Sequence, residues 1–269
     1  MNLLDVKMLS LLKELKESYH IKGVKAEFGE EMTTFEEALR LKSLASKLDL
    51  ELTIKIGGCE AIKDLYQART IGSNSIVAPM IESPYSMQKF LDAVGRVFTA
   101  EECQKMKFLI NIETKYAFKC LDEILAADIS KNLSGIVLGR TDLAGSLGLT
   151  SEDVNNEVIF DYAKSIAQKA DECDKELIIG GGLSLKSVPF LKRIKTPCFT
   201  KFETRKIIFD APKSLALPNI ESGIQKALEF ELLWIRSKQN YCSKLSDIDI
   251  KRMEVLENRF SAVSMGLTR

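Results

Sequence analysis

The chain has 269 residues, and its 38 basic side chains equal its 38 acidic ones, so its formal net charge is zero. A balanced charge argues against a general nucleic-acid-binding surface, and no run approaches the roughly 20 apolar residues that a membrane span requires, so we expect neither nucleic acid nor membrane as a partner. The only histidine, His20, excludes a multi-histidine metal site and leaves a Ser-His-Asp triad possible only around itself.

A helix is predicted first, over residues 3–18, because apolar residues recur there at helical spacing. After it, short β-like runs alternate with amphipathic helical segments. Several runs are apolar almost throughout, which is typical of strands covered on both faces by helices. The predicted strands are residues 24–28, 52–56, 75–79, 108–112, 135–138, 176–179 and 198–202.

The alternation of strands and helices predicts repeated βαβ units and a parallel sheet. A doubly wound open sheet and a (β/α)₈ barrel both have this pattern. The absence of a Gly-rich dinucleotide fingerprint favours the barrel. The predicted fold is therefore α/β, a TIM-type (β/α) barrel that follows an N-terminal helix.

No strand is predicted after Asp210. A turn over residues 211–218 is followed by two predicted helices, the first with Ile224 and Leu228 and the last with Ile248, Met253, Phe260 and Val263 among its apolar residues. We therefore predict a barrel with its N-terminal helix over residues 1–210. A C-terminal helical extension over residues 211–269 is expected to pack on the barrel or on a neighbouring subunit.

The cysteines and the N-terminal segment both bear on the cellular compartment of the protein, and both favour the cytoplasm. Six cysteines are scattered without a CxxC pair, which predicts free thiols in a reducing environment instead of a zinc or redox site. The N-terminal segment carries Asp5 and Lys7 and lacks the uninterrupted apolar core of a signal peptide. A cytoplasmic protein is expected.

Charged residues follow the ends of the predicted strands, where parallel α/β folds gather their active sites. The acids at these ends include Glu27, Glu113, Asp142 and Glu203, and Lys55 is one of the few cations among them. Because converging carboxylates repel one another, we expect a divalent cation with oxygen ligands between them, either Mg²⁺ or Mn²⁺.

Three segments resemble the HpcH/HpaI aldolase and citrate lyase β-subunit family, a member of the phosphoenolpyruvate/pyruvate group of TIM barrels. They read VAPMIES at 77–83, LINIETKYA at 109–117 and SGIVLGRTDLAGSLG at 134–148. The hallmarks are a strand ending in E-T and, further along, a strand ending in G-x-x-D-L. The likeness extends over residues 24–205 and aligns the first strand here with the family's second. It therefore implies a barrel that lacks its first βα unit or replaces it.

The resemblance implies that Glu113 and Asp142 ligate the metal, which is Mg²⁺, Mn²⁺ or another divalent cation. Two carboxylate ligands leave positions open for a 2-oxo acid substrate, and the metal would act as a Lewis acid that stabilises a pyruvate enolate. Backbone amides of the loop at residues 139–142, with Gly139 and Thr141, would receive the substrate carboxylate.

Three further residues are implied as catalytic by their places in the family pattern. Lys55 stands where relatives usually have an arginine that holds substrate oxygens, and lysine supplies its charge without the bidentate fork. Arg140 stands where the aldolases often have proline, and its guanidinium could contact the substrate in place of the family's arginine. Glu31 falls at the place of the aldolase histidine, so Glu31 is the predicted acid–base residue.

The sequence thus predicts a class II, metal-dependent carbon–carbon lyase of the aldolase type. The acidic pair Glu30-Glu31 keeps open a citrate-lyase-like enzyme that acts on an acyl-CoA thioester. The missing histidine and βα unit keep open a catalytically degenerate barrel used for binding or assembly. The resemblance also implies a homo-oligomer.

Overall fold

The computed structural model describes the backbone of residues 3–264, and the side chains of that range except residues 242–249 and 258–264. The predicted free thiol of Cys242 and the predicted apolar contacts of Ile248, Phe260 and Val263 lie outside the described side chains. None of the described helices combines the length and the apolar character needed to cross a membrane.

Eight strands in the described part of the chain close a barrel, in which neighbouring strands follow chain order. They are β1 (Ile21–Glu27), β2 (Glu51–Lys55), β3 (Ser75–Ala78), β4 (Lys107–Ile112), β5 (Gly135–Gly139), β6 (Glu176–Gly180), β7 (Phe199–Glu203) and β8 (Ile207–Asp210). Each of the seven predicted strands is present within a few residues of its predicted bounds. The parallel order from β1 to β7 confirms the TIM-type barrel.

The eighth strand closes the barrel and was not recognised in the sequence. β8 follows β7 after a turn at residues 204–206, in which the Thr204 N–H donates to the Ile207 carbonyl at 2.9 Å. It then pairs antiparallel with both β7 and β1. An antiparallel strand of four residues therefore stands where the implied family pattern has a further parallel βα unit.

Helices surround the barrel, and the main apolar core lies between the strands and these helices. They are α1 (Leu3–Tyr19), α2 (Phe35–Ser46), α3 (Ile62–Ile71), α4 (Pro84–Val97), α5 (Ala100–Lys105), α6 (Lys115–Lys119), α7 (Leu121–Ala126), α8 (Arg140–Ser146), α9 (Glu157–Glu172), α10 (Val188–Arg193), α11 (Ala211–Leu215) and α12 (Ile220–Ser264). Polar caps fix several of their starts. Before α2, for example, the Thr34 hydroxyl accepts from the Glu37 N–H and the Glu37 carboxylate accepts from the Thr34 N–H.

The interior of the barrel is unusually polar. Bulky apolar side chains commonly fill such barrels. Here Glu176 sits at the amino-terminal end, with Lys107 Nζ 3.0 Å and Lys201 Nζ 3.5 Å from its carboxylate. The apolar interior cluster is Val77, Leu109, Val137 and Ile178. The opposite end is left to the charged residues of the candidate site.

The C-terminal extension contains one long helix, α12, where two were predicted. After Gly223 no glycine or proline occurs within it, so nothing in the sequence breaks the helix. Gly223 lies against the Tyr19 ring, which a Cβ at that position would approach within 2.5 Å. Further along, Trp234 is buried between the cationic groups of Arg40 and Lys206, at 5.2 and 5.8 Å from its ring centroid. The first half of α12 is thereby anchored along the barrel.

Candidate active site at the carboxyl ends of the strands

A cavity of about 460 Å³ opens at the carboxyl ends of the parallel strands. Strands, their following loops and α12 all contribute to its wall. Six acids and three cations line it, so the cavity suits a small, strongly polar ligand. Its charged and amide-bearing lining residues are Lys25, Glu27, Glu30, Lys55, Asn111, Glu113, Asp142, Glu203, Arg205 and Glu231.

Glu113 follows β4 and is held rigidly in this cavity. It is 1% exposed. Its Oε1 accepts from the Met80 N–H at 2.9 Å, and its Oε2 accepts from Asn111 Nδ2 at 2.5 Å. A carboxylate fixed by two donors presents its remaining lone pairs in one direction, as a metal or substrate contact requires.

Lys55, at the end of β2, joins the acids of the site. Its Nζ lies 3.4 Å from Glu27 Oε1 and 3.6 Å from Glu113 Oε2. Burial alone would lower the pKa of the Lys55 ammonium, but the negative charges of Glu113 and Glu27 outweigh burial and raise it above its ordinary value. Lys55 is therefore a cation at any physiological pH.

Asp142, in the first turn of α8, meets Glu113 at the mouth of the cavity. Partial burial and the adjacent Glu113 charge raise the pKa of Asp142 to about 6. A carboxyl group whose ionisation is opposed by a neighbouring carboxylate suits a divalent cation between the two. Among the described side chains, no group of three or more His, Cys, Asp or Glu residues could hold a metal ion. Two carboxylates alone would leave most positions around a divalent cation to water, an arrangement that Mg²⁺ commonly has.

Glycines shape the floor of the cavity. A Cβ on Gly139 would lie 2.7 Å from Glu113 Oε2, and a Cβ on Gly180 would lie 3.1 Å from the Glu203 side chain. Gly181, at φ +79°, brings its Cα so close to the start of α8 that a Cβ would lie 2.5 Å from the Arg140 backbone nitrogen. Only glycine allows the loop after β6 to pack backbone against backbone on the start of α8.

The structure does not bring Arg140 to the cavity, contrary to its predicted contact with substrate. Arg140 is fully buried, and burial lowers its pKa to about 10. Its Nε donates to the Gly180 carbonyl at 3.0 Å, its Nη2 to the Gly181 carbonyl at 2.9 Å and its Nη1 to Asn155 Oδ1 at 2.8 Å. Its guanidinium also lies 4.8 Å from the Phe190 ring centroid. Arg140 braces the glycine loop after β6 from behind.

We expect Arg140→Lys to lower the free energy of unfolding by about 2–3 kcal/mol, because a lysine cannot reach all these acceptors and leaves buried carbonyls without donors. Urea denaturation would measure the loss. The matched control is Arg193→Lys, an exposed arginine paired with Glu157 at 2.7 Å, for which we expect a change below about 1 kcal/mol. Equal losses in the two variants would contradict the bracing role.

Glu31, the predicted acid–base residue, is also not brought to the cavity. Its carboxylate is paired with the buried ammonium of Lys206, beneath Trp234. The neighbouring Glu30 lines the cavity instead and pairs with Arg205 at 3.2 Å. The turn between β7 and β8 supplies both of these cations, and its presence could not be foreseen without recognising β8.

Sequence reasoning missed Lys25, Leu228 and Glu231 as cavity residues. Lys25 had a usable signal, because it precedes Glu27 by two positions in β1 and alternation places both on the inner face. Leu228 and Glu231 had none, since only the packing of α12 along the barrel brings them to the rim. The site residues that the structure does bring together are Glu113, Asp142, Lys55, Gly139 and Thr141.

Residues 43–177, half of the chain, match the HpcH/HpaI aldolase/citrate lyase family. No curated protein matches the chain in sequence. Among solved structures, the chain is similar to an HpcH/HpaI aldolase from Desulfitobacterium hafniense DCB-2. That similarity has a TM-score of 0.60 and 13% identity and covers 72% of this chain and 80% of the other.

Two further structures show the same fold. An HpcH/HpaI aldolase/citrate lyase family protein from Burkholderia cenocepacia J2315 has a TM-score of 0.58 and 12% identity, covering 82% of this chain and 90% of that one. The citrate synthase SbnG has a TM-score of 0.56 and 14% identity, covering 88% of this chain and 90% of that one. At such identities the likeness concerns the fold.

Proposed function

Because the chain belongs to the HpcH/HpaI aldolase/citrate lyase family, we propose that it is a divalent-metal-dependent carbon–carbon lyase that cleaves a 2-oxo acid through a pyruvate enolate. The family supports a lyase-type activity. The metal-dependent mechanism is supported by the meeting of Glu113 and Asp142 in one cavity, where partial burial and the Glu113 charge raise the pKa of Asp142. A divalent cation would offset the negative charges of these two carboxylates.

Each residue of the site has a proposed task. Glu113 and Asp142 would hold Mg²⁺ or Mn²⁺, which when bound supplies Lewis-acid stabilisation of the enolate. Met80 and Asn111 keep the Glu113 carboxylate in place. The protonated Lys55 offers a compact positive charge to substrate oxygens.

The substrate carboxylate is proposed to lie against the backbone of Gly139 and Thr141, which line the cavity beside the carboxylate pair. The Arg140 side chain braces the adjacent glycine loop after β6, which packs against the backbone of Arg140 and Thr141. A rigid loop holds an anion with little loss of conformational entropy on binding.

Exchange of the pyruvate methyl protons with solvent deuterium, followed by NMR, tests the proposed function. Enolate formation makes these protons exchange, so we expect exchange that requires Mg²⁺ or Mn²⁺ and stops with a chelator. Borohydride treatment in the presence of pyruvate is the control, because an enzyme that used Lys25 or Lys55 as a Schiff base would be trapped as a reduced adduct. Absence of exchange with every divalent metal would refute the proposal.

A further inference from the structure

The cavity contains a buried carboxylate that the metal pair does not use. Glu203, the last residue of β7, lines the cavity and is 3% exposed. Lys25 Nζ donates to its Oε1, whereas its Oε2 has no hydrogen-bond partner among the described residues. A buried acceptor without a donor destabilises the fold, so an oxygen kept in this state inside a cavity is suited to receive a donor from a ligand.

Glu203 stands opposite Glu113 across the floor of the cavity. In the sheet, Gly139 is paired with Gly180 in register. The registers of the flanking strand pairs place Glu113 beside Gly139 and Glu203 beside Gly180. Both glutamates lean over their neighbouring glycine, whose missing Cβ leaves the room they occupy. A ligand that lies over the two glycines is therefore held between the two carboxylates.

Three other acids near the cavity are paired with cations, and a fourth, Glu231 on α12, lies at the rim and is only half-buried. Glu31 is bound to Lys206 away from the cavity, and the side chain of Glu30 is mostly exposed and paired with Arg205. Glu27 contributes its carboxylate to Lys55. Among these side chains, Glu203 combines burial, a fixed orientation and an unpartnered oxygen.

We propose that Glu203 is the proton-transfer residue of this site, an inference that rests on the proposed lyase function. In the cleavage direction, Oε2 of Glu203 accepts the proton of the substrate hydroxyl while the adjacent carbon–carbon bond breaks. The hydroxyl-bearing carbon leaves as an aldehyde, and the bonding electron pair stays with the other fragment as pyruvate enolate. The proton then passes from Glu203 to the enolate carbon, which forms the pyruvate methyl group and restores the carboxylate.

The test uses the metal-loaded protein and two measurements on each variant, methyl exchange of pyruvate and calorimetric binding of oxalate, a planar enolate mimic. We expect Glu203→Gln to slow exchange about 100-fold or more, the usual contribution of a positioned acid–base group. Oxalate affinity should stay within about threefold, because Glu203 does not hold the oxo-acid end. The control is Glu176→Gln, a half-buried glutamate at the other end of the barrel, with exchange expected within about threefold of wild type.

A second variant guards against loss of folding, which the oxalate measurement would reveal. Glu203→Asp keeps the charge beside Lys25 but withdraws the carboxylate by one methylene, and we expect it to slow exchange about tenfold or more. If wild type exchanges and both Glu203 variants exchange within about threefold of it, Glu203 is not the proton-transfer residue and the lyase proposal stands. If wild type itself fails to exchange with any divalent metal, the proposed function falls and takes this inference with it.

Discussion

Asp142→Asn is expected to abolish the metal-dependent methyl exchange of pyruvate, with a loss of about 1000-fold or more. Asparagine keeps the shape of the side chain but removes one of the two charges proposed to hold the cation, and Lewis-acid stabilisation of an enolate is worth several kcal/mol. The thermal shift that Mg²⁺ or Mn²⁺ produces in the wild-type protein should vanish as well. A variant that kept both the exchange and the thermal shift would remove Asp142 from the metal site.

The same substitution should make the metal-free protein more stable at neutral pH. The pKa of Asp142 is raised to about 6 in the folded chain, above the ordinary value near 3.8. Protonated Asp142 therefore stabilises the folded chain fully below about pH 4, and this stabilisation is lost as pH rises through about 6. Because Asp142 is partly open to solvent, we expect a gain of about 1 kcal/mol for Asp142→Asn at pH 7.5. The gain should shrink towards zero near pH 4.

Asp153→Asn is the matched control. Asp153 is half-buried at the surface, and hydrogen bonding from Thr150 lowers its pKa. The ionised Asp153 carboxylate therefore stabilises the fold above the ordinary pKa of aspartate, and this stabilisation is lost as pH falls through the lowered pKa. The pH dependence is opposite to that of Asp142. Asp153→Asn should leave pyruvate exchange intact and should not stabilise the metal-free protein. Denaturant titrations at pH 4 and pH 7.5 with a chelator present would separate the two variants.

Gly181→Ala is expected to cost about 4 kcal/mol of folding free energy and most of the activity, because it combines a left-handed backbone with an overpacked contact. The added Cβ would lie 2.5 Å from the Arg140 nitrogen and 2.6 Å from the Thr141 nitrogen, both of which are backbone atoms. The first turn of α8 would have to move, and Asp142 would move with it. Urea denaturation and methyl exchange would measure the two losses.

Gly148→Ala separates the two causes. Gly148 has nearly the same backbone angle, φ +76° against +79° at Gly181, but nothing lies within 4 Å of an added Cβ. We expect Gly148→Ala to cost about 1 kcal/mol, the penalty for the backbone conformation alone. A similar loss in both variants would mean that the start of α8 and the loop after β6 shift to accommodate the added methyl group.

Much of the barrel could be predicted because its strands are apolar runs separated by helical patterns. β8 could not, since its four residues follow β7 after three intervening residues without glycine or proline, and a parallel repeat predicts a helix there. The division of α12 into two helices was wrong for a related reason. Weaker apolar periodicity in its middle resembles a boundary, although no residue type there ends a helix.

In the candidate site, the position of a residue at the end of a strand could be predicted from the sequence, but the direction of its side chain could not. Glu113, Asp142 and Lys55 reach one cavity because each follows or ends a strand of the same parallel sheet. Arg140 lies between such residues in sequence, yet its guanidinium turns away, because the carbonyls at the end of β6 offer it better acceptors. Nothing in the local sequence of Arg140 reveals those distant partners.

The antiparallel closing strand also protects the barrel from self-association. β1 and β7 are both parallel edges that would be exposed without β8, and exposed edges recruit strands from other molecules. Because β8 turns back directly from β7, it covers the edge of β7 through contacts between residues that are close in sequence. Its pairing with β1, by contrast, joins Ile21 to Phe209 and must wait until nearly the whole chain has been made. During synthesis, β1 is therefore the last edge to be covered and the one most open to aggregation.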